Sequence, residues 1–155
     1  MKVTMVDALL RLARMLATAG STAARRRAVS TAYYAAFHRL ARLCLDQVQG
    51  GDAAMTDDER ERIYRALEHG SLKSAMQQRD IAAHDRLADL ANDIVVLQSA
   101  RNRADYLPPK KGLFPRQECL DLVVRAETVV SKLEHLETGD RRLLAIHLLF
   151  KKRPQ

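Results

Sequence analysis

The stretch STAARRRAVSTAYYAAFHRLARLCLDQVQ, residues 21–49, runs without a glycine or a proline and carries its large apolar side chains at helical spacing. Val29, Tyr33, Phe37, Leu40, Cys44 and Val48 follow one another at three- and four-residue steps, which places them on one face of a long α-helix. Ser21 or Thr22 is a fit helix N-cap. The many alanines let neighbouring elements approach closely. Beside the apolar seam runs a polar ridge, Arg26, Ser30, Tyr34 and His38, one residue per turn.

Outward from this helix the same periodicity repeats. On the N-terminal side, Val6, Leu9, Ala13 and Leu16 mark one face of a helix near Thr4 to Ala19. On the C-terminal side, Thr56-Asp57-Asp58-Glu59 reads as a capping box with carboxylates at the positive end of the dipole. It predicts a helix that stops at His69-Gly70, then a short helix from Ser71 to Gln78. A long helix from Ile81 to Leu107 follows, closed by Pro108-Pro109. Another runs from Pro115, suited to a first turn, to Glu137, with Cys119, Val123, Ala126, Val130 and Leu133 facing inward. Asp140 to Lys152 forms a last helix, so apolar over Leu143–Phe150 that it must bury itself.

Every glycine and proline falls between these stretches, and no strand is needed. The expected fold is therefore all-α: a compact bundle of about five main helices, with a short extra helix and an apolar C-terminal helix. Residues 1–137 form the bundle. Residues 138–155 form an apolar and basic helix packed on it or on a partner.

At 155 residues and 47% hydrophobic content the chain can fold around one core without metal or disulfide staples. Lys and Arg exceed Asp and Glu, 26 to 19, giving +7. That excess favours a polyanionic partner, and with no long apolar segment RNA or DNA is preferred over a membrane. Cys44 and Cys119 lie in apolar helical patterns and read as buried free thiols. Arg11 and Arg14 interrupt any signal-peptide core, so a cytoplasmic location is expected. The histidines lack metal-ligand spacing, and neither a metal nor a cofactor is expected. Basic runs occur at Arg25–Arg27, Lys110-Lys111 and Lys151–Arg153.

One position breaks the pattern of the long helix 81–107. Its seam runs Leu87, Leu90, Ile94, Leu97, and the next step of four lands on Arg101. An unpaired buried guanidinium costs several kcal/mol, so Arg101 must meet a carboxylate or line a polar cavity. Asp105, one turn on, is the nearest partner. Two readings stand side by side: a helix-end ion pair, or a cleft in which Arg101, Asn102, Asp105 and Tyr106 face Arg26, Ser30, Tyr34 and His38. Those side chains hold phosphates and bases. Lys110 follows directly and extends a phosphate track.

The segment Arg27-Ala-Val-Ser-Thr-Ala-Tyr-Tyr-Ala-Ala-Phe-His38 resembles the second-helix signature of small prokaryotic HEPN proteins. Arg101-Asn-Arg-Ala-Asp-Tyr106 resembles their later motif, and His69-Gly-Ser71 their middle segment. The resemblance spans roughly Val6 to Leu136. It implies a helical bundle that often forms a homodimer with its polar site near the interface. It also implies metal-independent endoribonuclease activity, often in toxin–antitoxin or defence systems, or partnership with a minimal nucleotidyltransferase. Ribonuclease members pair an Arg with a His four to six residues later, commonly with a polar residue directly after the Arg.

Arg101 and Asn102 match that pattern, but position 106 is tyrosine. A phenol of reference pKa about 10 is a poor general base at neutral pH. Tyr106 is left to stack on a base, donate to a phosphate, or accept a modification from a nucleotidyltransferase. Arg79-Asp-Ile-Ala-Ala-His84 also satisfies the Arg-to-His spacing, at the wrong end of its helix. The leading expectation is an RNA- or nucleotide-binding domain, catalytic residues Arg101, Asn102 and Tyr106 included, with cleavage left open. The alternative is a noncatalytic subunit that binds a nucleotidyltransferase or other protein through Leu143–Phe150.

Overall fold

The computed structural model describes residues 2–67 and 69–151, and these are all-helical. The elements are α1 (Met5–Ala17), α2 (Thr22–Val48), α3 (Asp57–Ala66), α4 (His69–Met76), α5 (Arg79–Ala82), α6 (Ala88–Tyr106), α7 (Arg116–Glu134) and α8 (Thr138–Leu149). The bundle is built around α2, which packs against α1, α3, α6, α7 and α8. Its middle is buried nearly all round, through Ala28, Val29, Ala32, Tyr33, Ala35, Ala36, Phe37, Leu40, Ala41, Leu43 and Cys44. Five of these are alanines, and with no side chain beyond Cβ they admit neighbours on several sides. The less buried stripe left on α2 is Thr31, Tyr34, His38 and Arg42.

Among the described residues, side-chain caps open three of the eight helices. Ser21 Oγ caps α2 by accepting from Ala24 N–H at 3.0 Å. Thr56 and Glu59 form the expected capping box of α3, and Thr4 with Asp7 forms a second at α1. Ala13 and Ala17 of α1 are buried, flanked by the partly buried Val6, Leu9, Leu10 and Leu16. Cys44 and Cys119 are buried and unpaired. Burial pushes both thiols up, Cys44 to about 12 and Cys119 to about 11, so neither is a ready nucleophile.

Several boundaries differ from the expectation: the last helix opens at Thr138, not Asp140, and ends at Leu149, and the helix before it ends at Glu134, not Glu137. α3 ends at Ala66, and His69-Gly70 opens the next helix instead of closing this one. Pro115 is the N-cap of α7, with ψ 152°, just outside its first turn. The long helix expected from Ile81 to Leu107 is broken: α5 stops at Ala82 and α6 starts at Ala88.

A contact from far along the chain holds that break. Arg86 grips the buried Asp140 of α8 with two bonds, Nε to Oδ2 at 2.8 Å and Nη2 to Oδ1 at 3.1 Å. His84 Nε2 lies 3.5 Å from the same carboxylate, while its Nδ1 accepts from Arg86 N–H. A continuous helix could not present both side chains to one carboxylate in this way.

The Arg86 bonds hold the Asp140 carboxyl below the usual carboxylate range, against an opposing push from burial. A lowered native value contributes stability that is complete above the unfolded value and disappears as pH falls through the native one. The protection of α8 amides, measured as exchange relative to the intrinsic rate at each pH, is therefore expected to fall below about pH 4 in the wild type. Asp140→Asn should already show lower protection at pH 7, and that protection should change little on acidification. Equal acid sensitivity in both proteins would remove this contact as the cause.

α8 covers α2, α3 and α4 through Leu144, Ala145 and Leu148. Its apolar run is not wholly buried, because Ile146 and Phe150 stay exposed. Lys152 and Arg153 of the terminal basic run lie outside the described residues.

The loop from α6 to α7 is pinned by Phe114, a fully buried non-glycine residue at φ 54°. The left-handed conformation is unfavourable for a bulky side chain. Its carbonyl accepts from Arg25 Nε at 2.9 Å, and Arg103 lies over its ring at 4.7 Å.

Candidate functional site

The seam of α6 is buried as expected through Leu87, Leu90, Ile94 and Leu97, and Arg101 continues it. The Arg101 side chain is only 12% exposed. Its charge is met from two helices. Nε lies 2.9 Å from Asp105 Oδ2 on α6, Nη2 donates to the Tyr34 hydroxyl of α2 at 2.9 Å, and Nη1 donates to Asn102 Oδ1 at 3.2 Å. The Nε contact is close but poorly directed, leaving that N–H buried without a hydrogen bond, so charge holds the pair more than geometry does.

Three phenol rings surround the guanidinium, Tyr33, Tyr34 and Tyr106, with centroids 5.7, 5.5 and 5.6 Å from Cζ. Burial works against the charge on Arg101. Tyr34, Asp105 and Tyr106 more than offset it, and the guanidinium holds its proton more firmly than an ordinary arginine.

The other expected residues fall in two groups. Ser30, buried on α2, donates to Asp105 and so ties the two helices together at the carboxylate. Tyr34 contacts Arg101 directly. Asn102 is exposed beside Arg101, and Tyr106 is 73% exposed, its ring face available to a ligand. These belong to one site.

Arg26, His38 and Lys110 have other surroundings. Arg26 donates through Nε to the Ala104 carbonyl at 2.7 Å and through Nη2 to the Leu107 carbonyl. It satisfies the C-terminal carbonyls of α6, a capping role that leaves little of the guanidinium for a ligand. His38 shares a 3.1 Å hydrogen bond with the Tyr64 hydroxyl of α3, and burial lowers its pKa. Lys110 is exposed on the loop after α6. His84 is engaged with Asp140 and takes no part here.

His69, the first residue of α4, enters the site from an element that the sequence pattern does not connect to it. The Tyr33 hydroxyl is 2.6 Å from His69 Nδ1. The imidazole lies 4.4 Å from the Phe37 ring and edge-on to Tyr34 at 5.8 Å. Burial, then Arg101, then His38 lower its pKa, so it is neutral at pH 7. Gln98, one turn before Arg101 on α6, donates to the His69 carbonyl and fixes the start of α4. Its Oε1 is buried without a partner among the described residues. Helical periodicity marks Gln98 as an inward polar residue of α6, and that was the available signal.

A groove of about 460 Å³ lies elsewhere, between α4 and α8, lined by Ser74, Gln78, Asp80, Ile146, His147 and Phe150 among others. His147 there is bound on both nitrogens, to the Leu143 carbonyl at 3.0 Å and to Asp80 at 3.3 Å. Among the described residues no cluster of three or more His, Cys, Asp or Glu is placed to hold a metal, and no helix is long and apolar enough to cross a membrane.

No protein-family model matches the chain, and no curated protein or solved structure matches it either.

Proposed function

We propose that the chain is an RNA- or nucleotide-binding domain of the HEPN kind, which takes a phosphate at Arg101 and stacks a base on Tyr106. The observation that carries this reading is the cage around Arg101: a firmly charged guanidinium, partly sheltered, with an exposed aromatic ring 5.6 Å away. A guanidinium beside a stacking surface suits one nucleotide, phosphate to the charge and base to the ring. The net charge of +7 adds a long-range attraction for a polyanion. The two segments that resemble HEPN signatures meet through Ser30–Asp105 and Tyr34–Arg101.

Cleavage, a homodimer and a toxin–antitoxin or defence setting belong to the same proposal and rest on the resemblance. Tyr106 does not replace the usual histidine as a base.

Binding of a fluorescein-labelled single-stranded RNA is expected to weaken at least about tenfold in Arg101→Met, as for a hydrogen bond to a charged group, and to weaken with rising salt. Unchanged affinity would sink the reading. Incubation of a mixed RNA pool in EDTA, followed by end mapping, adds the catalytic answer. Cleavage lost in Arg101→Met makes the domain a metal-independent ribonuclease, and binding without cleavage makes it a binding module.

A second reading, a subunit that binds a nucleotidyltransferase or other protein, is favoured by one observation: Ile146 and Phe150 are exposed at the rim of the α4–α8 groove. Such binding would survive both Arg101→Met and high salt.

A further inference from the structure

The Tyr33 ring is 1% exposed, and its hydroxyl meets one partner among the described residues, His69 Nδ1 at 2.6 Å. Burial raises the phenol's pKa well beyond its ordinary value, against the pull of Arg101, so Tyr33 keeps its proton at any physiological pH. A buried O–H must donate. The acceptor in reach is Nδ1, and a neutral imidazole that accepts at Nδ1 carries its hydrogen at Nε2. The Tyr33 contact thus sets the tautomer of His69.

Nε2–H has no partner among the described residues, and His69 is only partly buried. It flanks the same tyrosine pair as Arg101: Tyr34 lies 5.8 Å from the imidazole and 5.5 Å from Arg101 Cζ, and Tyr33 lies 5.6 and 5.7 Å from the two. The ring is held from behind by Phe37, and the backbone by Gln98. A rigid neutral donor stands beside a fixed cation.

We infer that His69 is a further ligand-binding residue of the Arg101 site, donating Nε2–H to a phosphate oxygen of the nucleotide whose charge Arg101 meets. The inference rests on the reading under Proposed function. It gives His69 the role of a donor, not of a base. The lone pair a base would need is engaged by Tyr33.

Four variants and one spectroscopic signature test it. His69→Gln keeps an N–H donor at about the reach of Nε2, whereas His69→Ala removes it. With the same labelled RNA at pH 7.5, His69→Gln is expected to bind within about threefold of wild type and His69→Ala about tenfold more weakly. Nitrogen-15 long-range correlation spectra of the free protein should show His69 protonated at Nε2. In Tyr33→Phe that preference should weaken to the mixture of a free neutral imidazole.

RNA binding that is lost in Arg101→Met but unchanged in His69→Ala would overturn this inference and leave the parent reading standing. So would a His69→Gln defect as large as that of His69→Ala, or a wild-type imidazole protonated at Nδ1. Absence of RNA binding by the wild-type protein would overturn the parent reading, and this one with it.

Discussion

Replacing Asp105 with alanine is expected to destabilise the fold by about 3 kcal/mol in urea titrations at pH 7, the lower end of what breaking a buried ion pair costs. Arg101 is 12% and Asp105 18% exposed as side chains, so water reaches the pair only partly. Without Asp105 the guanidinium keeps the Tyr34 hydroxyl, the Asn102 carbonyl and three ring faces, but it faces no anion. An arginine cannot shed its charge by losing a proton. Ser30 loses its acceptor at the same time. A cost below about 1 kcal/mol would place Arg101 in the class of solvated surface pairs, and its cage would then have no energetic consequence.

Arg101→Met behaves differently, because the group left behind can change its charge. A carboxylate stranded without its cation can take up a proton. For an acid of reference pKa about 3.9 that costs about 1.5 kcal/mol at pH 5 and about 4 kcal/mol at pH 7. These figures cap the penalty at each pH. Part of the stability lost relative to wild type is therefore expected to return as pH falls from 7 to 5. Asp105→Ala should show no such recovery. The contrast separates a trapped cation from a general packing defect, which would be pH-independent in both.

The site was legible from sequence where its residues lie on regular helices. Period alone placed Arg101 in the seam of α6 and set Ser30 and Tyr34 one turn apart on α2, and those are the residues that meet. His69 was not legible as a site residue. Its defining partner, Tyr33, lies 36 residues away, and a histidine next to a glycine reads locally as a helix end.

Arg26 sat on the same ridge as Ser30 and Tyr34, but the free carbonyls at the end of α6 compete for its guanidinium. The break between α5 and α6 was hidden for a related reason. Ile81 and Leu87 are both fully buried, so the apolar pattern crosses the break without a gap. The signal that stops the helix is Asp140, 54 residues away from Arg86.

Leu148→Asp should be the most damaging of the substitutions considered, with an expected loss above about 4 kcal/mol or no folded protein. Leu148 is 4% exposed and packs beside Phe37, Leu40, Leu67 and Leu72 in a small, mainly apolar pocket that also holds Ser71, while its other side borders the groove that carries Lys151. Loss of the leucine alone is worth about 2–5 kcal/mol, a large share of the 5–15 kcal/mol typical of a domain. Phe150, two residues on, is 70% exposed, and Phe150→Asp should fall within about 0.5 kcal/mol of wild type, as surface changes generally do. That difference makes Phe150→Asp the informative variant for a protein partner on α8. Loss of partner binding by a protein of unchanged stability would locate the contact there. Leu148→Asp reports instead on the support of the Arg101 site, because Phe37 touches Leu148's pocket on one side and stacks on His69 at 4.4 Å on the other. A Leu148→Asp protein that still melts cooperatively near the wild-type temperature would mean that α8 is detachable and that His69 is held from α2 and α6 alone.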